Sequence, residues 1–125
     1  MNAILDAGAL VAIDKRDRRV EAMLRVLHQR RIALWTSAAV VAQVWRRGDK
    51  QALLAKVLAG VRVHALDERH DRRIGELLAL TRTADVIDAH VAMLAADGDQ
   101  LLTSAPDDLR RLVHARRIEV TVVDV

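Results

Sequence analysis

Two aspartates three positions apart, Asp85 and Asp88 in TADVIDAHVAML, and a third, Asp6, closing the apolar stretch NAILD, are the residues best suited to chemistry. A spacing of three stacks two carboxylates on one face of a helix. Asp85 fits the N-cap of that helix, near the positive end of its dipole. Asp88 lies among Ile87, Ala89, Val91 and Ala92, where capping does not explain it. A carboxylate on an apolar face needs a partner, and a hard cation is one. Mg²⁺ and Mn²⁺ take oxygen ligands, retain several waters and activate water against a phosphodiester. Asp6, taken alone, could equally cap the turn that follows it.

Other chemistries find little support. No HExxH or paired-histidine spacing offers a zinc site. His90 is offset by two from Asp88 and faces away from it, and His28, His64, His70 and His114 read as surface residues. The chain has no cysteine, which excludes disulfide frameworks, zinc-thiolate sites and thiol nucleophiles. The absence of GxxxxGK[ST], GxGxxG and GxSxG removes P-loop, dinucleotide and serine-hydrolase readings.

The elements that must carry the acids follow from the apolar pattern. With 125 residues, 52% of them hydrophobic, the chain fits one domain, 1–125, with its own core. Strands are expected at 2–6, 32–36, 61–66, 100–103 and 118–125. Between them a short helical turn follows Asp6, and 18–29 carries Val20, Met23, Leu24 and Leu27 at helical spacing. Ser37 caps a helix bearing Val40, Val41 and Val44, and Asp49 caps the next, which stops near Gly60. Helices at 67–80 and 84–96 follow, and Pro106 opens the last. Strands separated by helices imply an α/β fold, a three-layer α/β/α sandwich with a mainly parallel five-stranded sheet. Ligands in such folds gather at the carboxyl ends of the strands.

The charge balance is basic: net +3, with 20 Lys and Arg residues of which only Lys15, Lys50 and Lys56 are lysine. Arginine suits phosphate and carboxylate recognition, so the charge permits nucleic acid without demonstrating it. No apolar run reaches the roughly 20 residues of a membrane span, and the N-terminus has no basic leader, so a cytoplasmic protein is expected.

NAILDAGALVAID, TSAAVVAQVWR, TADVIDAHVAMLA and LLTSAPDDLRRL, in that order over essentially the full length, resemble PIN-domain proteins, specifically VapC toxins of toxin–antitoxin pairs. The resemblance implies a Mg²⁺- or Mn²⁺-dependent endoribonuclease, often a homodimer, blocked by a VapB-like antitoxin. Asp6 and Asp88 then match the catalytic, metal-holding acids, with Asp85 as an accessory metal ligand. The family's second acid falls at Gln43, which keeps an oxygen but no charge, and its last acid at Ala105. Gln43 and Ser104 would border the metal. Ala105 reflects either drift in a weak or inactive member, with Asp107 or Asp108 standing in, or a deliberate replacement of an Asp. Asp107 and Asp108 are otherwise explained by the dipole of the helix they open.

Arg46 or Arg82 would position RNA phosphates. Trp45 stands beside Arg46 and Arg47 on a helix whose valines already face the core, which suits an anchor for an antitoxin or a second subunit as well as a core residue. Two rivals to the nuclease reading remain distinct in class. One is a non-catalytic PIN-like module that binds RNA or a partner, favoured by the acids missing at 43 and 105. The other is a receiver-like signalling domain, which VRVHAL and IEVTVVDV deny by lacking its Asp and Lys.

Overall fold

In the computed structural model, which describes residues 1–125, the apolar run NAIL forms the central strand of a parallel sheet. In chain order the elements are β1 (Asn2–Leu5), α1 (Ala7–Asp14), α2 (Arg18–Gln29), β2 (Ala33–Ser37), α3 (Ala38–Val44), α4 (Ala52–Leu58) and β3 (Val61–His64). They continue as α5 (Asp71–Thr81), α6 (Val86–Leu94), β4 (Gln100–Thr103), α7 (Pro106–Ala115) and β5 (Thr121–Asp124). The five strands stand in the order β3-β2-β1-β4-β5, every pair parallel. Helices α1 to α4 group on one face and α5 to α7 on the other, so the expected three-layer α/β/α sandwich is what forms.

Strands covered on both faces must be apolar throughout rather than alternating. Ala3, Ile4 and Leu5 are fully buried, and so are Leu101 and Leu102, their neighbours across the β1–β4 register. Asp99 fixes the start of that register. It is 3% exposed, and its two carboxylate oxygens accept from Asn2 N at 2.7 Å and Ala96 N at 2.9 Å. The chain runs outward from β1 to β3, then crosses to β4 and continues to β5. The direction of winding therefore changes between β1 and β4, where such sheets open a crevice at their carboxyl ends.

The helix ends hold a chain-specific device. Arg16, Arg31, Arg82 and Arg117 all adopt left-handed backbone, with φ of 55–57°. Each follows a helix whose last carbonyls are closed by the paired bonds of a Schellman motif, such as Arg31 N to His28 O and Ile32 N to Leu27 O, both 3.0 Å. Glycine is the usual residue there because it carries no Cβ penalty.

Several expected boundaries shift for identifiable reasons. Gln51, not Asp49, precedes α4: Asp49 lies in a 3₁₀ turn at Gly48–Lys50 and pairs with Arg47 at 3.0 Å. Gln51 is buried, and it accepts from Arg46 N and Arg47 N while donating to Val44 O and Asp14, so it locks the bend after α3. Residues 67–70 form a turn in which Asp67 accepts from Arg69 N, so α5 begins at Asp71. No helix is long and apolar enough to cross a membrane.

The left-handed arginines give a direct stability test. Arg31→Gly should stabilise the protein by about 0.5–1 kcal/mol, because the αL penalty disappears. Arg31→Val should destabilise it by about 1 kcal/mol or more, because a β-branched residue tolerates φ > 0 least. Thermal unfolding of the two variants beside the parent reads both.

Candidate active site at the β1–β4 crevice

Asp6 leaves β1 at the point where β1 and β4 diverge. Its backbone N donates to Leu102 O at 2.9 Å, and its carbonyl accepts from Ala9 and Leu10, opening α1. Its side chain is 5% exposed, and Oδ2 accepts from the Thr103 hydroxyl at 2.7 Å. Oδ1 accepts no hydrogen bond from the protein. The Thr103 hydroxyl in turn accepts from Ala105 N at 3.0 Å, so one buried oxygen joins the acid to the loop after β4. That loop approaches α1 closely. A Cβ at Gly8 would fall 2.8 Å from Ser104 N and closer still to its side chain, so only glycine lets the two meet.

Asp85 caps α6 as its spacing suggests: its carboxylate accepts from Asp88 N at 2.9 Å. Asp88 is half-buried in the first turn. Its carboxyl is pushed up to about 6 by burial first, and then by the negative charges of Asp6, Asp85 and Asp108. Asp108, on α7, faces Asp85 and Asp88 across a small cleft of about 160 Å³. Asp107 points away, 95% exposed and bonded to Arg110 at 3.3 Å. The sequence left these two α7 acids equivalent; the first turn of the helix separates them.

No three His, Asp or Glu side chains stand close enough together to enclose an ion. Mg²⁺ asks for less, since one or two carboxylates suffice while it keeps several waters. Asp6 and Asp88 are donors of the right kind. Burial and then accumulated negative charge raise the Asp88 carboxyl, and a cation would relieve the second of these.

The remaining expected site residues are spread more widely. Ser104 is exposed on the loop, against Gly8. Ala105 occupies the N-cap of α7 and supplies no side-chain cap. Gln43 is exposed on α3. Arg46 lies beyond the end of α3, which stops at Val44, and is turned back onto it, bonding Ala42 O and Trp45 O, and Arg82 terminates α5. Trp45 is not a core residue: it is 37% exposed and rests on Gly48.

Two of the histidines, His64 and His70, lie deeper than the surface positions expected for them. His90 does face away from Asp88, but into the core, where it is fully buried and its Nδ1 lies 2.7 Å from Ser37 Oγ. Burial first, and then the nearby His70 and His64, hold its pKa below the ordinary value, which favours the neutral ring. His64 and His70 are half-buried rather than on the surface, because His64 stacks on Trp35 with ring centroids 4.4 Å apart and His70 stands 6.1 Å from His90.

Set against solved structures, the chain superposes on a chain of the crystal structure of VapBC2 from Rickettsia felis bound to a DNA fragment from their promoter. The TM-score is 0.73, with 99% of this chain and 100% of that chain covered at 17% identity. The fold is PIN-like. No protein-family model matches the sequence, and no curated protein matches it either. A PIN-like fold with little sequence likeness leaves the chemistry to the residues at the β1–β4 crevice.

Two substitutions probe that crevice. Asp88 has its folded pKa above the ordinary 3.8, so the folded state binds the extra proton between the two values, and stability falls as pH rises from about 4 to about 6. Asp88→Asn escapes this loss. In metal-free buffer it should exceed the parent by about 1–2 kcal/mol at about pH 7.5, allowing for solvent screening, and by nothing near pH 4. Denaturant titrations at the two pH values check the sign. Thr103→Val removes the donor to Asp6 and the acceptor for Ala105 N at once, and should cost about 2–3 kcal/mol by the same measurement.

Proposed function

We propose that this chain is the toxin of a toxin–antitoxin pair, a Mg²⁺- or Mn²⁺-dependent endoribonuclease that cleaves RNA phosphodiester bonds in the cytoplasm. The observation that carries the reading is the charge shared by buried Asp6 and half-buried Asp88 at the switch point of a PIN-like sheet, with Asp108 on the facing wall. Asp6 and Asp88 would hold the ion. Thr103 occupies Oδ2 of Asp6 and leaves Oδ1 without a hydrogen bond from the protein, while Asp85 fixes the first turn of α6 from which Asp88 projects. Asp108 would act as the accessory carboxylate in place of the acid absent at Ala105. A bound divalent ion supplies a more acidic water and stabilises charge developing on the scissile phosphate.

A VapB-like antitoxin is the proposed partner and a homodimer the proposed assembly. The solved VapBC2 complex supports the first, and partly exposed Trp45 is a suitable anchor for either contact. The second reading is a non-catalytic RNA- or partner-binding module. Neutral residues at Gln43 and Ala105 favour it, since each removes a charge from the cation's surroundings.

Ala105→Asp separates the two readings. The new side chain would cap α7, worth about 1 kcal/mol, and would offset part of the repulsion it adds to the acids. With Mn²⁺ present, the variant should cleave RNA at least about tenfold faster than the parent, with chelator or Asp6→Asn abolishing cleavage. Calorimetry should show tighter Mn²⁺ binding in parallel. Tighter binding without cleavage of any RNA across a broad panel would favour the non-catalytic module.

A further inference from the structure

The outer edge of β5 is open, and one side of it is prepared for another chain. Thr121 N donates to Asp99 O and Val125 N to Thr103 O, each at 3.0 Å. The alternation of a strand therefore turns the backbone groups of Val122 and Asp124 outward. Arg19 reaches over from α2 and bonds one of them, the Asp124 carbonyl, at 2.9 Å.

Between α2 and the β4–β5 pair lies a groove of about 520 Å³. Met23 and Val26 form its helical wall, with Val26 45% exposed, and Leu102 and Val123 form its sheet wall. Arg19 and Arg30 stand at its two ends. They are eleven positions apart along α2 and its C-cap, roughly 16 Å, which is also the length of about five residues of extended strand. The groove is thus apolar along its length and positive at both ends. Its complement is an extended segment with apolar side chains in the middle and a carboxylate towards each end. RNA is a poor occupant, because no aromatic side chain lines the groove for bases to stack on.

We infer that the β5 edge and the α2 groove form a docking surface for an extended, acidic–apolar segment of a partner protein, added to the sheet as a sixth strand. Main-chain bonds to Val122 and to the Asp124 N–H would give affinity, since Arg19 already holds the Asp124 carbonyl, and the apolar walls and terminal arginines would select the side chains. The inference is independent of the nuclease reading, since no side chain of the groove is one of the crevice acids, and Leu102 meets Asp6 only through its backbone carbonyl.

The probe is a blocked peptide, Glu-Thr-Val-Thr-Val-Thr-Glu, which places its Val and Glu side chains on one face; the control carries Lys in place of both Glu. Calorimetry on the parent should show saturable binding of the acidic peptide and none of the control. Val122→Pro removes an N–H that points away from the sheet, so the fold should persist while binding falls by about tenfold or more. Arg30→Glu should weaken the acidic peptide similarly and gain binding of the Lys control, which keeps the test valid should the proline variant not fold. Equal affinity for the two peptides, or no saturable binding of the acidic one, would overturn the inference. So would a dimer in sedimentation that Val122→Pro dissociates, because the edge would then belong to a second copy of the chain.

Discussion

A carboxylate placed where a buried strand ends must be compensated within the protein, and at Asp6 the Thr103 hydroxyl does so while β4 and α1 pin the backbone that carries it. The register of β1 against β4 brings Asp6 N to Leu102 O, α1 begins on the Asp6 carbonyl, and Thr103 bonds the carboxylate. A buried ionised group left alone would cost several kcal/mol, more than most single contacts contribute. The crevice chemistry and the folding of the central strands therefore rest on the same bonds. Gly8 belongs to this arrangement, since any larger residue would push the Thr103–Ala105 loop away from the acid it supports.

Asp88 stands in contrast. Its helix is capped, its side chain has no hydrogen-bonding partner, and burial with three neighbouring carboxylates makes ionisation costly. Proton and cation compete for the same oxygens in such a group, so cation affinity should strengthen as the proton leaves near pH 6. A site of this kind is assembled by one strand end and two helix starts from opposite ends of the chain. Only the all-parallel sheet brings Asp6, Asp88 and Asp108 into one electrostatic neighbourhood.

The elements were largely legible in the residues because the signals were local. NAIL, VRVH and QLLT are short apolar or β-branched runs, Ser37 and Asp85 are caps with a mechanism, and Pro106 marks a first turn. What escaped was set by tertiary contact. Thr103 reads as an ordinary strand residue until the β1–β4 register places it beside Asp6. Gln51 displaces Asp49 because its amide satisfies four groups from α1 and the α3 bend, none adjacent to it in sequence. His90 and His64 look like scattered polar residues until Ser37 and Trp35 are seen to receive them. Four helix ends carry arginine where glycine would have announced a stop, so those of α2 and α5 were legible from apolar spacing and those of α1 and α7 had no local marker.

Those four arginines change what the chain's basicity means. Each pays roughly 1 kcal/mol in backbone conformation, and each sits at the negative end of a helix dipole, where a cation returns about 0.3–1 kcal/mol. Part of the positive surplus thus serves as punctuation for the fold, distributed by where helices stop instead of by where a polyanion lies. Conditions that screen charge would weaken helix termination and ligand attraction together. A salt titration of binding alone would confound the two, and the stability of the unliganded chain is the baseline that separates them.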